Sequence, residues 1–198
     1  MLLDEPFSAL DSPVRQELRR ELRRLQRDAG LSTVLVTHDP EEAAFLADEI
    51  LVIADGQILQ AGPSREVYRQ PASPTVARLL GIENLLPGIV APGGMCVGDI
   101  IVDADISEIQ DGTAVLWSVR PEQVSLATLN DASYPAVVID IAYLGTSTAL
   151  TIRLTGGPEL RVRTTDPVDF LAGDACAAHI ERSAISVWPD SLQPTPSR

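Results

Sequence analysis

Two adjacent acidic residues and one histidine are the side chains in this sequence best suited to chemistry on a phosphate. Asp4 and Glu5 follow the apolar residues Leu2 and Leu3, and His38 ends a second apolar run 33 residues after Glu5. Successive side chains of a strand point to opposite sides, so one acid can hold Mg²⁺ through water while the other addresses a nucleophilic water. A histidine at the end of a neighbouring parallel strand can reach the same phosphate, because ligands bind at the carboxyl ends of such strands.

Each of these features has a simpler explanation when it is taken alone. An Asp-Glu pair at a strand end is more often part of a turn or a helix cap. A single histidine before Asp39-Pro40 is more often structural. The order and the spacing of the features together are more specific than any one of them.

A long helix is predicted over residues 12–29. Ser12 is expected as its N-cap, Pro13 at its first position and Gly30 just beyond its end. Its apolar stripe is formed by Val14, Leu18, Leu22 and Leu25. Interleaved acids predict a solvated, salt-bridged face, rather than a phosphate-binding surface, for the six arginines Arg15, Arg19, Arg20, Arg23, Arg24 and Arg27.

The rest of residues 1–82 alternates strand and helix, which predicts part of an α/β sheet. Residues 33–37 form a continuous apolar run, so we expect a strand buried on both faces. A second helix is expected to begin at Pro40, with Asp39 as its N-cap and Glu42 able to complete a capping box. The dipeptide Asp55-Gly56 predicts a hairpin between residues 49–54 and 57–62, and two short helices are expected near 63–70 and 74–80.

From residue 83 the pattern changes to short alternating runs, which predict a small antiparallel sandwich or barrel. The expected strands lie near 99–103, 114–120, 136–143, 150–154, 160–164, 176–181 and 184–188. We expect domains at residues 1–82 and 83–190, followed by a disordered tail at 191–198, which is rich in proline and serine.

Charge and composition exclude several function classes. The chain has 28 acidic residues against 15 basic ones, a net charge of −13, and every basic residue is an arginine. Without lysine there is no P-loop lysine and no Schiff-base lysine. The acidic balance disfavours nucleic acid as a partner. Cys96 and Cys176 are expected to be reduced thiols, and without a secretory signal or an apolar run of roughly 18–20 residues the protein is expected to be cytoplasmic.

The segments LLDEPFSALD, TVLVTHDPEEAAFLAD and EILVIADGQILQAGPSREVY resemble the C-terminal half of an ABC-transporter ATPase. The resemblance implies that Asp4 closes the Walker B strand and helps hold Mg²⁺ through water. It also implies that Glu5 is the general base, or orients the attacking water, and that His38 is the switch histidine at the γ-phosphate of ATP. The residues from Ser8 to Asp11 are the corresponding D-loop, which contacts a second ATPase subunit.

The second half of the chain resembles the transport-associated OB-type domain of importers for sugars, polyamines, oxyanions and ferric iron. The likeness rests on SVRPE at residues 118–122 and on YPAVVIDIAYLGTSTALTIRL. It implies an OB-type barrel with a regulatory, dimerising or ligand-sensing role. It also implies permease subunits as partners and a peripheral position on the inner face of the cell membrane.

The sequence departs from the ATPase family in one large respect. The Walker A loop, the Q-loop and the LSGGQ signature are not found in these 198 residues. We therefore expect a truncated chain that is inactive alone, since the P-loop supplies much of the electrostatic stabilisation of phosphoryl transfer. A non-catalytic regulatory or ligand-binding OB module with a vestigial ATPase remnant is the alternative.

Overall fold

The computed structural model describes residues 1–127 and 134–190. The chain divides into two compact units, the first comprising residues 1–72 and 79–81, the second residues 73–78 and the chain from Ile82 onward. The tail predicted at residues 191–198 lies outside the described residues. The predicted domain limits of 1–82 and 83–190 stay a prediction.

Two short strands and a long helix begin the first unit. Strand β1 (Leu2–Asp4) pairs in parallel with β2 (Val34–Val36), and Asp4 lies opposite Val36. Helix α1 (Ser12–Ala29) connects the two strands and has the predicted limits. Gly30 ends it in the left-handed conformation, with φ of 59°. The parallel pairing places the ends of β1 and β2 at the same edge of this small sheet.

The N-cap of α1 differs from the prediction by one residue. Asp11, in an extended conformation, is the N-cap, and its Oδ1 accepts a hydrogen bond of 3.1 Å from the Val14 backbone N–H. Ser12 is the first helical residue instead. Both side chains are good caps, so the sequence alone did not separate them.

Exposure of the first sheet also differs from the prediction. The exposed fractions of Val34 and Val36 are 60% and 55%, so β2 is not buried on both faces. Every residue of α1 is at least partly exposed, including the predicted apolar stripe. The physical reason is that little packed structure covers the faces of this two-stranded sheet, to which the side chains point. The buried apolar side chains of this unit include Phe7, Leu46, Ile50, Val52 and Val67.

The remainder of the first unit agrees well with the sequence pattern. Helix α2 (Pro40–Leu46) is followed by strands β3 (Glu49–Ala54) and β4 (Gln57–Pro63) and by helix α3 (Ser64–Arg69). The hairpin turn has positive φ at both central residues, 50° at Asp55 and 73° at Gly56. That geometry is what an Asp-Gly pair favours, so the hairpin prediction is confirmed.

The second unit is built of two five-stranded sheets, and α4 (Pro74–Leu79) precedes them. The first sheet has the order β14-β8-β5-β6-β7, and the second β12-β11-β10-β13-β9. In chain order the strands are β5 (Asn84–Ala91), β6 (Gly94–Val97), β7 (Ile100–Val102), β8 (Ala114–Val119), β9 (Val124–Ala127), β10 (Tyr134–Tyr143), β11 (Thr148–Leu154), β12 (Glu159–Thr164), β13 (Ala175–Ile180) and β14 (Ser186–Pro189).

The prediction of an all-β C-terminal part is confirmed. Both sheets contribute to one core, in which Trp117 and Ile152 are completely buried. The edge strands β9 and β12 of the second sheet contact each other, so that sheet curls towards closure. The finer prediction of an OB-type barrel stays a prediction. Cys96 and Cys176 are both free, as expected.

Strands β5, β6 and β9 were not predicted. Pro87 and Gly88 interrupt the pattern of β5, and both residue types are depleted in strands. The strand forms because its neighbours hold it: it pairs with β8 through residues 84–89 and with β6 through residues 89–91. Here tertiary pairing overrides local propensity.

Candidate functional site

Glu5 and His38 meet where β1 and β2 end. The imidazole Nδ1 of His38 lies 2.7 Å from Oε1 of Glu5. The parallel register makes this possible, because Asp4 and Val36 are opposite each other and both chains leave the sheet at the same edge. The side chain of His38 is 76% exposed and that of Glu5 is half-buried. The structure therefore places together the two residues for which the sequence analysis predicted catalytic roles.

The backbone of Glu5 adopts an unusual conformation that directs its carboxylate to His38. Its φ is 44°, in the left-handed region that non-glycine residues rarely occupy. The Glu5 N–H donates to the Val36 carbonyl at 2.9 Å, which extends the β1–β2 ladder by one bond. The Glu5 carbonyl accepts from the Ser8 hydroxyl at 3.0 Å, and Phe7 anchors the turn in the core. These contacts on both sides hold the strained residue in place.

The charge of Glu5 changes the acid–base behaviour of His38. The hydrogen bond to Glu5, followed by its charge, raises the pKa of His38 above the ordinary histidine value. An ionised carboxylate only accepts hydrogen bonds, so Nδ1 of His38 donates the proton. The neutral ring then keeps its lone pair on Nε2.

Of the other predicted site residues, Ser8 lines the same cleft as this pair, whereas Asp4 and Asp11 do not. A shallow cleft beside His38 is lined by Glu5, Ser8, Arg15, Thr37, His38, Asp39 and Glu42. Asp4 is the exposed last residue of β1, and Asp11 caps α1; neither is among the residues that line the cleft. The structure thus brings together Glu5, Ser8 and His38.

A charged network next to the cleft was missed by the sequence analysis. Nη2 of Arg19 lies 2.7 Å from Oδ2 of Asp39 and 2.7 Å from Oε1 of Glu42. The side chain of Arg19 is only 12% exposed and that of Glu42 only 5%. Burial lowers the pKa of Arg19, but the hydrogen bonds to Glu42 and Asp39 outweigh this effect and the net shift is upward.

The predicted solvated arginine face is therefore wrong for part of α1. Arg15, Arg19 and Arg23 are spaced four residues apart, and their side chains bind other groups of the protein. Arg15 donates to the Leu10 carbonyl at 2.8 Å, and the Arg23 guanidinium lies 5.0 Å from the ring centroid of Phe45 and donates to its carbonyl. The four-residue spacing, which places these arginines on one face of the helix, was the sequence signal for their contacts. Arg24 does form the expected exposed pair with Glu21 at 2.9 Å.

Glu42 does not complete a capping box. Asp39 caps α2 as predicted, because its Oδ1 accepts from the backbone N–H groups of Glu41 and Glu42. The backbone N–H of Asp39, however, donates to Oγ1 of Thr37 at 3.1 Å. The Glu42 carboxylate is occupied by Arg19 and Thr37 instead, so burial against α1 decided its role.

Asp4, which the sequence analysis predicts as a ligand of magnesium, is exposed at the end of β1. Within residues 1–127 and 134–190, no group of three or more His, Cys, Asp or Glu side chains could hold a metal by themselves. Mg²⁺ typically keeps several waters and is held by one or two carboxylates together with substrate phosphates. A single exposed carboxylate, such as that of Asp4, could serve only in a site where phosphates also bind the ion.

A family model and curated relatives agree on the class of protein. The model described as TOBE domain matches residues 117–188, within the all-β unit. The spermidine/putrescine import ATP-binding protein PotA 1 of Pseudomonas aeruginosa is 34% identical, over 96% of this chain and 54% of the relative. The sulfate/thiosulfate import ATP-binding protein CysA of Nitrosomonas europaea is 45% identical, over 73% of this chain and 40% of the relative.

These matches define a protein related to transport ATPases, with a TOBE domain in its C-terminal part. The chain is a homologue of the ATP-binding subunits of ABC importers. It spans about half the length of the curated relatives that it matches. Among solved structures, the cytoplasmic molybdate-binding protein ModG matches with a TM-score of 0.45 and 18% identity, over 55% of this chain and 97% of that chain.

Among the described residues, none of the helices combines the length and the apolar character that a transmembrane span needs.

Proposed function

We propose that this chain contributes the Walker B, D-loop and switch-histidine part of an ATP-hydrolysing subunit of an ABC importer. The observation that supports this most directly is the 2.7 Å contact between His38 Nδ1 and Glu5 Oε1 at the ends of two parallel strands. Residues 1–82 then form part of a P-loop NTPase sheet, and residues 83–190 form an OB-type domain. Ser8 and Asp11 belong to the D-loop, which contacts a second ATPase subunit.

We propose a distinct chemical task for each of these residues. Glu5 is the general base, or orients the attacking water, and its backbone carbonyl accepts a hydrogen bond from the Ser8 hydroxyl. Hydrogen bonding to Glu5 occupies Nδ1 of His38 and raises the pKa of the ring, so the protonated ring can donate its Nε2–H to the γ-phosphate. His38 is largely exposed, so its ring is accessible to a phosphate.

ATP and Mg²⁺ are the proposed cofactors, within a complete ATPase domain. Asp4 is the residue that would hold Mg²⁺ through water. The ion, when bound, neutralises charge on the phosphates. Phosphoryl transfer also needs the backbone and lysine of a P-loop to hold the phosphates.

We further propose that these 198 residues hydrolyse no ATP above background by themselves. The support is that they contain no lysine, so no Walker A lysine is available from them. The matched importer subunits are named for polyamine and sulfate transport. We propose a polyamine, oxyanion, ferric iron or sugar importer, with a homodimeric ATPase and permease partners that hold it on the inner face of the membrane.

The test joins these 198 residues to a segment of a matched ATP-binding subunit. The relative from Pseudomonas aeruginosa supplies the segment that precedes its match to this chain, and residues 1–198 follow. We expect this chimera to hydrolyse ATP and the 198 residues alone to be at background. Glu5→Gln and His38→Ala should each lower turnover by about 10² or more. Glu21→Gln, an exposed change on α1, is the control. A chimera whose turnover is insensitive to both changes contradicts the proposal.

The second candidate is a non-catalytic regulatory or ligand-binding module. The observation that favours it is the large, well-buried core of the all-β unit, compared with the exposed first sheet. Calorimetry of residues 1–198 with sulfate, molybdate or spermidine tests it. Saturable binding by the 198 residues, together with an inactive chimera, would favour this candidate over the first.

A further inference from the structure

We propose that Arg19 is a positioning residue, which holds His38 beside Glu5 by fastening the start of α2 to α1. The catalytic meaning of that position rests on the function proposed above. The position itself does not, because it can be measured in this chain without nucleotide.

Arg19 reaches from the middle of α1 to two acids on the first turn of α2. One nitrogen, Nη2, lies 2.7 Å from Asp39 Oδ2 and 2.7 Å from Glu42 Oε1. Ion pairs on a fully hydrated surface contribute little, but Glu42 is almost completely buried and Arg19 nearly so. Removing one partner from such a network leaves a buried charge uncompensated, so the contact strongly constrains the two helices.

The residues on either side of His38 both belong to this network. Oγ1 of Thr37 donates to Oε2 of Glu42 at 2.6 Å and accepts from the Asp39 backbone N–H at 3.1 Å. Asp39 itself contacts Arg19 and caps α2. His38 therefore lies between two anchored residues, while its own largely exposed side chain has little packing of its own.

The segment that contains Glu5 is fixed to the same helix. Glu5 begins the turn that leads to the N-cap of α1, Asp11, and Arg15 on α1 donates to the Leu10 carbonyl at 2.8 Å. Helix α1 thus holds the Glu5 turn at its N-terminus and, through Arg19, the His38 loop about two turns further on. Arg24, whose pair with Glu21 is exposed, has no such connection.

Two opposite effects on His38 make the proposal testable. The charged groups around His38 are Glu5 from the turn after β1, Asp39 and Glu42 from α2, and Arg15 and Arg19 from α1. If Arg19 acted only through its charge, its removal would leave two acids unneutralised and the pKa of His38 would rise. If Arg19 positions the loop, its removal separates His38 from Glu5, and the pKa of His38 falls.

The experiment is an NMR titration of the two histidines in the full 198-residue chain. His179→Gln assigns the His38 signals. In the Arg19→Gln variant we expect the His38 midpoint to move down towards the ordinary histidine value, and the preference for a proton on Nδ1 to be lost. Arg24→Gln should leave both unchanged. An unchanged or raised midpoint in Arg19→Gln, with the chain folded, overturns the proposal.

A second pair of variants decides the question if Arg19→Gln unfolds the first unit. Thr37→Val keeps the shape of the side chain but removes both hydrogen bonds, whereas Thr37→Ser keeps the hydroxyl. We expect the His38 midpoint to fall in Thr37→Val and to be restored in Thr37→Ser. A midpoint that both variants leave unchanged also overturns the proposal. These results do not depend on ATP turnover by the chimera, so the proposed function can fail separately.

Discussion

His38 and Glu5, 33 residues apart in the sequence, share a hydrogen bond of 2.7 Å between Nδ1 and Oε1. The parallel pairing of Asp4 with Val36 brings their backbones together, and the left-handed conformation of Glu5 directs its carboxylate. An acid and a histidine are thus joined at one edge of a two-stranded sheet. The behaviour of this pair, and of the core of the all-β unit, can be tested directly.

The first prediction concerns pH. The bond to Glu5 raises the pKa of His38 in the folded chain, so the protonated ring stabilises the fold. That stabilisation is fully present below the unfolded histidine value of about 6.5 and is lost as the pH rises through the higher folded value. Glu5→Gln should lower the His38 midpoint in an NMR titration and remove this pH-dependent part of the stability. Glu21→Gln should do neither, and an unaltered midpoint in Glu5→Gln would show that the bond does not form in solution.

The second prediction concerns backbone strain at Glu5. The left-handed conformation costs a non-glycine residue about 1–2 kcal/mol, whereas glycine adopts it freely. We expect Glu5→Gly to be more stable to urea than Glu5→Gln by roughly 0.5–1 kcal/mol, measured by circular dichroism. Glu49 provides the matched control in β3, where glycine should instead be the less stable replacement. The same order of stability at both positions would refute the assignment of strain.

The third prediction concerns Asn84, a buried amide that connects the two sheets of the second unit. Its Nδ2 donates to the Arg161 carbonyl at 2.8 Å, and its Oδ1 accepts from the Arg161 N–H at 2.7 Å. Asn84→Ala leaves both backbone groups unpaired, so we expect a loss of about 2–4 kcal/mol in the free energy of unfolding, followed by tryptophan fluorescence. Gln123→Ala, an exposed change, should lose less than about 0.5 kcal/mol. Equal effects would mean that solvent replaces the Asn84 bonds.

The fourth prediction concerns the shared core. Ile152 is completely buried in β11, whereas Ile101 in β7 is largely exposed. Ile152→Ala should lower the free energy of unfolding in urea by about 2–5 kcal/mol, because it removes buried methyl groups and leaves a cavity. Ile101→Ala, with the same chemical change, should lose less than about 1 kcal/mol. Comparable losses for the two variants would argue against the packing of the sheets around Ile152.

Several elements could be predicted because their signals are local. Pro13 and Gly30 define α1, and Asp55-Gly56 defines the β3–β4 hairpin, since each of these residues favours its own backbone conformation. The N-cap was misplaced by one residue because Asp11 and Ser12 are equally good caps. Strand β5 was missed because Pro87 lowers its local propensity, and distant strands compensate for that.

The candidate site was predicted only in part. Glu5 and His38 were predicted from strand ends and spacing, and their proximity follows from a parallel register. Arg19 was not, because an arginine among acids on an isolated helix is expected to be solvated. Its partners, Asp39 and Glu42, are 20 and 23 residues away.

The sequence by itself determined which residues could perform chemistry and where most helices and hairpins begin and end, because caps, turns and apolar periodicity act over a few residues. Only the tertiary structure decided that Glu5 is left-handed and bonded to His38, that Arg19 is buried against α2, and that the valines of β2 are exposed. Those outcomes depend on which surfaces meet across distances of tens of residues. Burial and pairing are properties of the whole fold, so local patterns specify them only in part.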